Sequence, residues 1–252
     1  MHFPFNIHIG EFEIQSHFIF ELLAYTIGFR YFLYLRKKTT DPISSENRII
    51  IFIGAAAGAL IFSRLIGIFE SPEIFRNSFN VLVLLGNKTI VGGLIGGLIG
   101  VEITKKIIHV KTSSGDLMVY PLILAIGIGR IGCFLAGVED NTYGNPSSLA
   151  WAMDLGDGVK RHPTNLYEII FLMVLFISLK YLESKRPLSN GSRFRVFMVA
   201  YLLFRLCIEF IKPSYKYFFN LSLIQLSCIG GLVYNSRIFV QPKLIFETKM
   251  NG

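Results

Sequence analysis

"YPLILAIGIGRIGCFLAGVED", residues 120–140, is apolar almost throughout and carries one guanidinium, Arg130, near its middle. Its length suits a single crossing of a hydrocarbon core about 30 Å thick, at about 1.5 Å per residue. Arginine stays charged at any physiological pH. A guanidinium at the centre of a membrane helix costs roughly 2.5–3.5 kcal/mol on insertion scales. A charge that expensive needs a partner or a ligand, and the rest of the chain is read with that in view.

Of the 252 residues, 52% are hydrophobic and only 17% charged, more apolar than an ordinary soluble domain. Apolar runs fall near 17–35, 49–69, 81–103, 117–137, 165–182, 194–211 and 218–236, most of them long enough to span a bilayer. The pattern predicts an all-α polytopic membrane protein, a single domain over 1–252 with about seven transmembrane helices. The third run is the least regular, because Gly86-Asn87-Lys88 interrupts it. Lysine and arginine crowd the alternate loops that hold Arg36–Lys38, Lys105–Lys111, Lys180–Arg195 and Arg237–Lys249, and are sparse in the others. The positive-inside rule then puts the N-terminus outside and the C-terminus in the cytoplasm.

Several classes are excluded at this level. The formal charge of +8 forms no basic stripe and accompanies no nucleic-acid motif, so no nucleic-acid partner is expected. The first residues lack a basic n-region and a small-residue cleavage site, so they do not read as a signal peptide. Cys133, Cys207 and Cys228 lie in three different apolar runs, which argues against a disulfide framework. No His/Cys/Asp cluster stands at ligand spacing in the chain, and neither a metal nor a cofactor is expected.

With that orientation, Glu21, Arg64, Arg130, Glu168, Arg205 and Glu209 share one depth in the outer half of the membrane. Intramembrane ionisable residues default to function, and an excess of arginine suits a phosphate or carboxylate ligand. The plainer reading is that these charges pair with one another and pin the bundle; Arg205 and Glu209, four apart, share a helix face. Tyr201 and Lys212 extend that face. The connection 138–164 is the longest and holds Glu139, Asp140, Arg161 and His162, with Tyr143 and Trp151 as interfacial aromatics. "GGLIGGLIG" (92–100) is a GxxxG face for close helix packing, or else Gly92 and Gly93 leave room for a lipid.

These motifs together resemble the prolipoprotein diacylglyceryl transferase family of bacterial inner membranes, over about residues 17–236. "GRIGCFLAGVEDNTYG" (129–144) is similar to the family signature G-R-x-G-N-F-x-N-x-E-x-x-G. "RHPTNLYE" (161–168), "YLLFRLCIEFIK" (201–212), "LSLIQLSC" (221–228) and "GGLIGG" (92–97) match further family patterns. The resemblance implies a multi-pass enzyme of the bacterial inner (plasma) membrane. Such an enzyme moves the diacylglyceryl group of phosphatidylglycerol to the lipobox cysteine thiol in a prolipoprotein signal peptide. It implies Arg130 and Arg205 as grips for the lipid phosphate. Glu21, Arg64, Gly92, Gly93, Tyr167, Glu168, Tyr201 and Glu209 would line the substrate cavity in the membrane lipid.

The chain also departs from the pattern. Val91 stands where the family has a histidine before the paired glycines of helix 3. Cys133 and Ala136 replace the signature asparagines, Glu21 replaces a tyrosine of helix 1, and Lys212 replaces an arginine. The acidic residue of the signature is displaced to Glu139 or Asp140. A base for the acceptor thiol is therefore sought among His162, Glu139, Asp140 and Glu21. Two other readings share these residues: another phospholipid-dependent transferase on the same scaffold, or a non-enzymatic carrier of an anionic lipid or solute.

Overall fold

A computed structural model describes residues 3–9, 12–70 and 86–246. Among these, seven helices follow one another: α1 Ser16–Lys38, α2 Ser45–Glu70, α3 Ile90–Ile107, α4 Val119–Ala136, α5 Thr164–Lys185, α6 Ser192–Ile208 and α7 Leu223–Tyr234, with a single turn, α8 Arg237–Val240, at the end. An antiparallel hairpin, β1 Asn6–Ile9 with β2 Phe12–Gln15, precedes α1. A smaller one, β3 Met153–Asp154 with β4 Lys160–Arg161, lies between α4 and α5.

The helices fall on the seven apolar runs, with boundaries set by capping. The third run is helical at Gly86, breaks at 87–89 and resumes as α3 at Ile90, where the Thr89 hydroxyl accepts from Gly92 N–H at 3.2 Å; its residues 81–85 lie outside the described residues. The seventh starts at Leu223, because Ser222 and Gln225 form a reciprocal capping box. α6 stops at Ile208 and tightens into a 3-10 turn, Glu209–Ile211. Among the described residues, four stretches are long and apolar enough to cross a membrane: Ser16–Lys38, Ser45–Glu70, Asp116–Asp140 and Thr164–Lys185. α6 and α7 are shorter, at 17 and 12 residues, and α3 carries Lys105 and Lys106 in its last turn.

The distribution of polarity is inverted relative to a soluble bundle. Phe18, Leu22, Ile53, Ile61, Ile103, Val174 and Ile177 are exposed, whereas Arg130, Glu168, Arg205 and Glu209 are buried beside Tyr201, Leu202 and Cys228. A bundle with an apolar rind and charges inside is one built for hydrocarbon surroundings.

α2 packs on α3, α1 on α4, α4 on α5 and α6 on α7. The α2–α3 seam is backbone against backbone. A Cβ at Gly58 would fall 2.2 Å from the Gly96 carbonyl oxygen, one at Gly96 2.3 Å from that of Gly58, and one at Gly100 2.1 Å from that of Gly54. The glycine run therefore serves close packing. Gly92 belongs to the same seam, 2.5 Å from the Phe62 carbonyl, while Gly93 has nothing nearer than Ser63 Cβ at 3.9 Å. Gly132 does the same for α1 and α4: a Cβ there would meet Phe20 Cβ at 2.7 Å and His17 Cα at 3.3 Å.

The end of the bundle away from the buried charges is clamped by polar contacts. Asp41, between α1 and α2, receives Arg48 as a two-pronged fork and Arg36 Nε at 3.0 Å, while Arg48 Nη1 donates to the Ser114 carbonyl at 2.9 Å. Asp116 caps α6 in place of Gly191, accepting from Gly191 N–H at 2.6 Å and Phe194 N–H at 2.9 Å. Burial alone would raise the Asp41 carboxyl. The Arg48 fork, the Ile43 N–H and Arg36 overcome that and hold it below the ordinary carboxylate range. A carboxyl depressed by folding stabilises above its unfolded value of about 3.9 and loses that contribution as pH falls through the folded value.

Two outcomes are expected. Gly58→Leu should lower the unfolding midpoint in detergent strongly, as overpacking costs about 1–3 kcal/mol where nothing gives way, while Gly93→Ala should leave it nearly unchanged. Asp41→Asn should remove part of the acid dependence of unfolding, so that wild type and variant converge in stability at the acid end of a pH titration and diverge above it.

Candidate active site

At the opposite end, four ionised side chains from three helical segments meet in the interior. Arg130 of α4 reaches Glu168 at the start of α5, Nε to Oε2 2.9 Å. Arg205 of α6 reaches the same Glu168 oxygen, Nη1 to Oε2 3.4 Å, and Glu209 one turn on, Nη2 to Oε2 3.1 Å. Tyr201 donates its hydroxyl to the other Glu168 oxygen at 2.6 Å. Arg130, Glu168, Arg205 and Glu209 are 6%, 1%, 5% and 2% exposed. Arg130 Nε is committed to Glu168, whereas Arg205 Nε makes no hydrogen bond among the described residues and is a spare donor.

The sequence explains why these groups meet. Tyr201, Arg205 and Glu209 recur every four residues and so stack on one face of α6 and its terminal turn. Glu168 sits one turn into α5, whose start is fixed by Pro163 and by the Thr164 hydroxyl donating to the Thr142 carbonyl at 2.7 Å. The anticipated pairing of Arg205 with Glu209 is present. Ion pairs with one another hold Arg130, Glu168, Arg205 and Glu209, Glu21 pairs with Lys88 instead, and no ion pair among the described residues holds Arg64. That side chain, on α2, has a buried Nη1 with no hydrogen-bond partner among the described residues.

A second polar group lies alongside. Glu21 on α1 pairs with Lys88 and accepts from Tyr25 at 3.3 Å. His17, one turn earlier, has Nε2 3.6 Å from Glu21 Oε2 and Nδ1 3.0 Å from Asp140 Oδ1. Cys133 joins the two groups, because Arg130 Nη1 donates to its Sγ at 3.6 Å. Potential ligand atoms of His17, Cys133 and Asp140 all lie within 4.8 Å of one another. Their separation in the chain conceals that grouping, and the close α1–α4 approach at Gly132 produces it.

The remaining expected residues stand apart. Glu139 is exposed, in the 3-10 turn Gly137–Asp140. His162 Nδ1 is 3.2 Å from the Tyr167 hydroxyl, which also accepts from Trp151 Nε1 at 2.8 Å. The His162 backbone pairs with Asn145 and Gly144. A Cβ on Gly144 would fall 2.5 Å from His162 Cβ, so the last glycine of the 129–144 motif is there to let the loop close on His162. His162 and Tyr167 thus order the 138–164 loop, and neither they nor Glu139 make a hydrogen bond or ion pair with Arg130 or Arg205. Of the four candidate bases, Asp140 and Glu21 are the ones drawn into the polar chain, while Glu139 and His162 stand outside it. Sequence reasoning missed His17 and Cys133. The i, i+4 spacing of His17 and Glu21 and the i, i+3 spacing of Arg130 and Cys133 were the available signals.

A helical bundle with an apolar surface and buried charges at one end is the architecture of a membrane protein. Comparison with known sequences narrows the class. The family model for prolipoprotein diacylglyceryl transferase matches residues 4–240, and the chain belongs to that family. A phosphatidylglycerol–prolipoprotein diacylglyceryl transferase of Dehalococcoides mccartyi is 29% identical over 90% of this chain and 88% of its own length. One from Methylobacillus flagellatus is 27% identical over 87% of each, and one from Pasteurella multocida 29% over 75% and 73%.

Glu168 balances two arginines at once, so its neutralisation leaves buried positive charge unmatched, which typically costs about 3–5 kcal/mol. Glu168→Gln is expected to lower the unfolding midpoint in detergent markedly, whereas Glu139→Gln, on the surface, leaves it unchanged.

Proposed function

We infer that the chain transfers the diacylglyceryl group of phosphatidylglycerol to the cysteine thiol of prolipoproteins, forming a thioether and releasing glycerol phosphate. The carrying observation is the convergence of Arg130 and Arg205, from α4 and α6, on one buried carboxylate. Two guanidiniums in a dry interior, one with a spare donor, are suited to a phosphate that gains charge as it leaves. The same arrangement serves poorly as mere glue, because four buried ions are costly to desolvate and a packed apolar core does as well.

The reading assigns roles as follows. Arg130 and Arg205 hold the phosphate and stabilise it as the C–O bond breaks. Glu168, Glu209 and Tyr201 fix the two guanidiniums and balance their charge. That balance leaves the pair formally neutral, so the net attraction for an anionic lipid comes from the cations beyond it: Lys212, within reach of Arg205 and Glu209, and Arg64, whose Nη1 is unpartnered among the described residues. Glu21 and Gly93 line the lipid side, Gly92 holds α3 against α2, and Tyr167 with His162 and Trp151 roofs the site through the 138–164 loop. The chain acts as one unit of seven membrane spans in the bacterial inner membrane, N-terminus outside, so that both lipidic substrates enter sideways from the outer leaflet. The apolar rind and the alternation of basic loops support that orientation.

The test is a reconstituted reaction of labelled phosphatidylglycerol with a lipobox peptide, read by mass spectrometry. A diacylglyceryl thioether should form with the cysteine peptide and not with its serine counterpart. Arg130→Ala and Arg205→Ala should each lower the rate about 10²–10³-fold, the usual effect of losing a donor to developing charge. Arg64→Ala should weaken phosphatidylglycerol binding more than it slows bound lipid. A fully active Arg130→Ala enzyme would overturn the assignment.

A further inference from the structure

We propose that His17, Cys133 and Asp140 form a three-ligand site for a borderline divalent cation, with zinc the best match, and that its fourth position is open to the acceptor thiol. The second half of this inference rests on the transferase reading; the first half does not. Imidazole, thiolate and carboxylate together are the donor set that zinc takes. A zinc ion with bonds of about 2.0–2.3 Å gathers its donors into a small shell, and these three lie within 4.8 Å of one another. They come from α1, α4 and the turn after α4, so no local turn accounts for their meeting.

The surroundings of the three side chains match a ligand shell. His17 Nδ1, buried, lies 3.0 Å from Asp140 Oδ1, which brings a ring nitrogen and a carboxylate oxygen from two helical segments together. The opposite nitrogen, Nε2, faces Glu21 at 3.6 Å, the carboxylate–histidine arrangement that orients metal-bound imidazoles. Thr142 donates to Asp140 Oδ2 at 2.6 Å, satisfying the outer oxygen and leaving Oδ1 turned inward. Arg130 Nη1 donates to Cys133 Sγ at 3.6 Å, which holds the sulfur in place beside the other two.

Three protein ligands with a fourth position free is the pattern of catalytic rather than structural zinc. The side chains of His17 and Asp140 are 26% and 12% exposed, so the site opens outward. An acceptor cysteine that coordinates there loses its proton to water at the mouth, since a metal-bound thiol is deprotonated. Its sulfur lone pair then forms the S–C bond at the glycerol carbon while the C–O bond to phosphate breaks. The phosphate oxygen takes that electron pair and leaves, gripped by Arg130, which touches both Cys133 and Glu168. No oxidation or reduction occurs. The site would supply the thiol activation that Val91, in the place of a histidine, does not.

The purified full-length chain in detergent, stripped with a chelator, is titrated with Zn(II) and with Co(II). One equivalent should bind per chain, and the cobalt form should show a thiolate-to-metal charge-transfer band. Cys133→Ser should abolish the band. Thr142→Val, a mild change outside the ligand set, should weaken binding about 10–100-fold while the protein stays monodisperse. A lipobox peptide should perturb the cobalt spectrum, and its serine version should not. Zinc binding by wild type no tighter than by a His17→Ala/Cys133→Ser double variant would overturn the site. Transfer at full rate by chelator-stripped, metal-free protein would overturn the catalytic role and leave the transferase standing. Bound metal without any transfer would leave the site and overturn the transferase reading.

Discussion

One end of this molecule is organised around Glu168. One carboxylate, 1% exposed, accepts Tyr201 on one oxygen and faces Arg130 and Arg205 on the other. In hydrocarbon surroundings none of these groups is tolerable alone. Each helix that contributes one is therefore obliged to bring it to the others, which fixes the rotation of α4, α5 and α6 about their axes. Packing alone specifies this poorly, since apolar side chains meet lipid tails as readily as they meet one another. Placing both arginines on one oxygen of one glutamate demands a single arrangement of three helices.

A second constraint acts at the seams. The glycines of α2 and α3 bring two backbones into contact, and Gly132 brings α1 onto α4. These contacts have opposite consequences for function. The α2–α3 seam is occupied by backbone at Gly58, Gly92, Gly96 and Gly100 and leaves no space there for substrate. The α1–α4 approach creates chemistry, because it carries His17 over to Cys133 and Asp140. A side chain at position 132 would push α1 outward and separate the histidine from both partners.

The sequence reading reached the helices and the buried cluster for a shared physical reason. Apolar runs, the period of α6 and charges out of place in hydrocarbon are all properties of single segments. Arg130, Arg205, Glu168 and Glu209 stood out because each is costly where it lies, and Tyr201 because it shares a helix face with two of them. The helix starts at Ile90 and Leu223 escaped the hydropathy runs, since Thr89 and the Ser222–Gln225 box cap them from within those runs. His162 and Glu139 looked chemical in isolation. The loop uses the histidine to close on Gly144 and Tyr167, and turns the glutamate to the surface. His17 and Cys133 were illegible for the converse reason, as neither is costly in its own segment.

The departures from the family pattern are then connected rather than scattered. Val91 is fully packed in the core, 1% exposed, against Tyr201 and Leu202 in the same cluster, so nothing at that position can accept a proton. Cys133, in the place of a signature asparagine, lies between Arg130 on one side and the His17–Asp140 pair on the other. Asp140, displaced from the usual place of the acidic residue, is held there by Thr142, and the turn is closed by Asn141 at a φ of 54°, a conformation asparagine adopts more readily than most residues. In its displaced position the acid lies 3.0 Å from the His17 ring. Polar function lost from helix 3 is matched by polar function gained where helix 1 meets helix 4, and Arg130 remains the group through which both ends of that chain communicate.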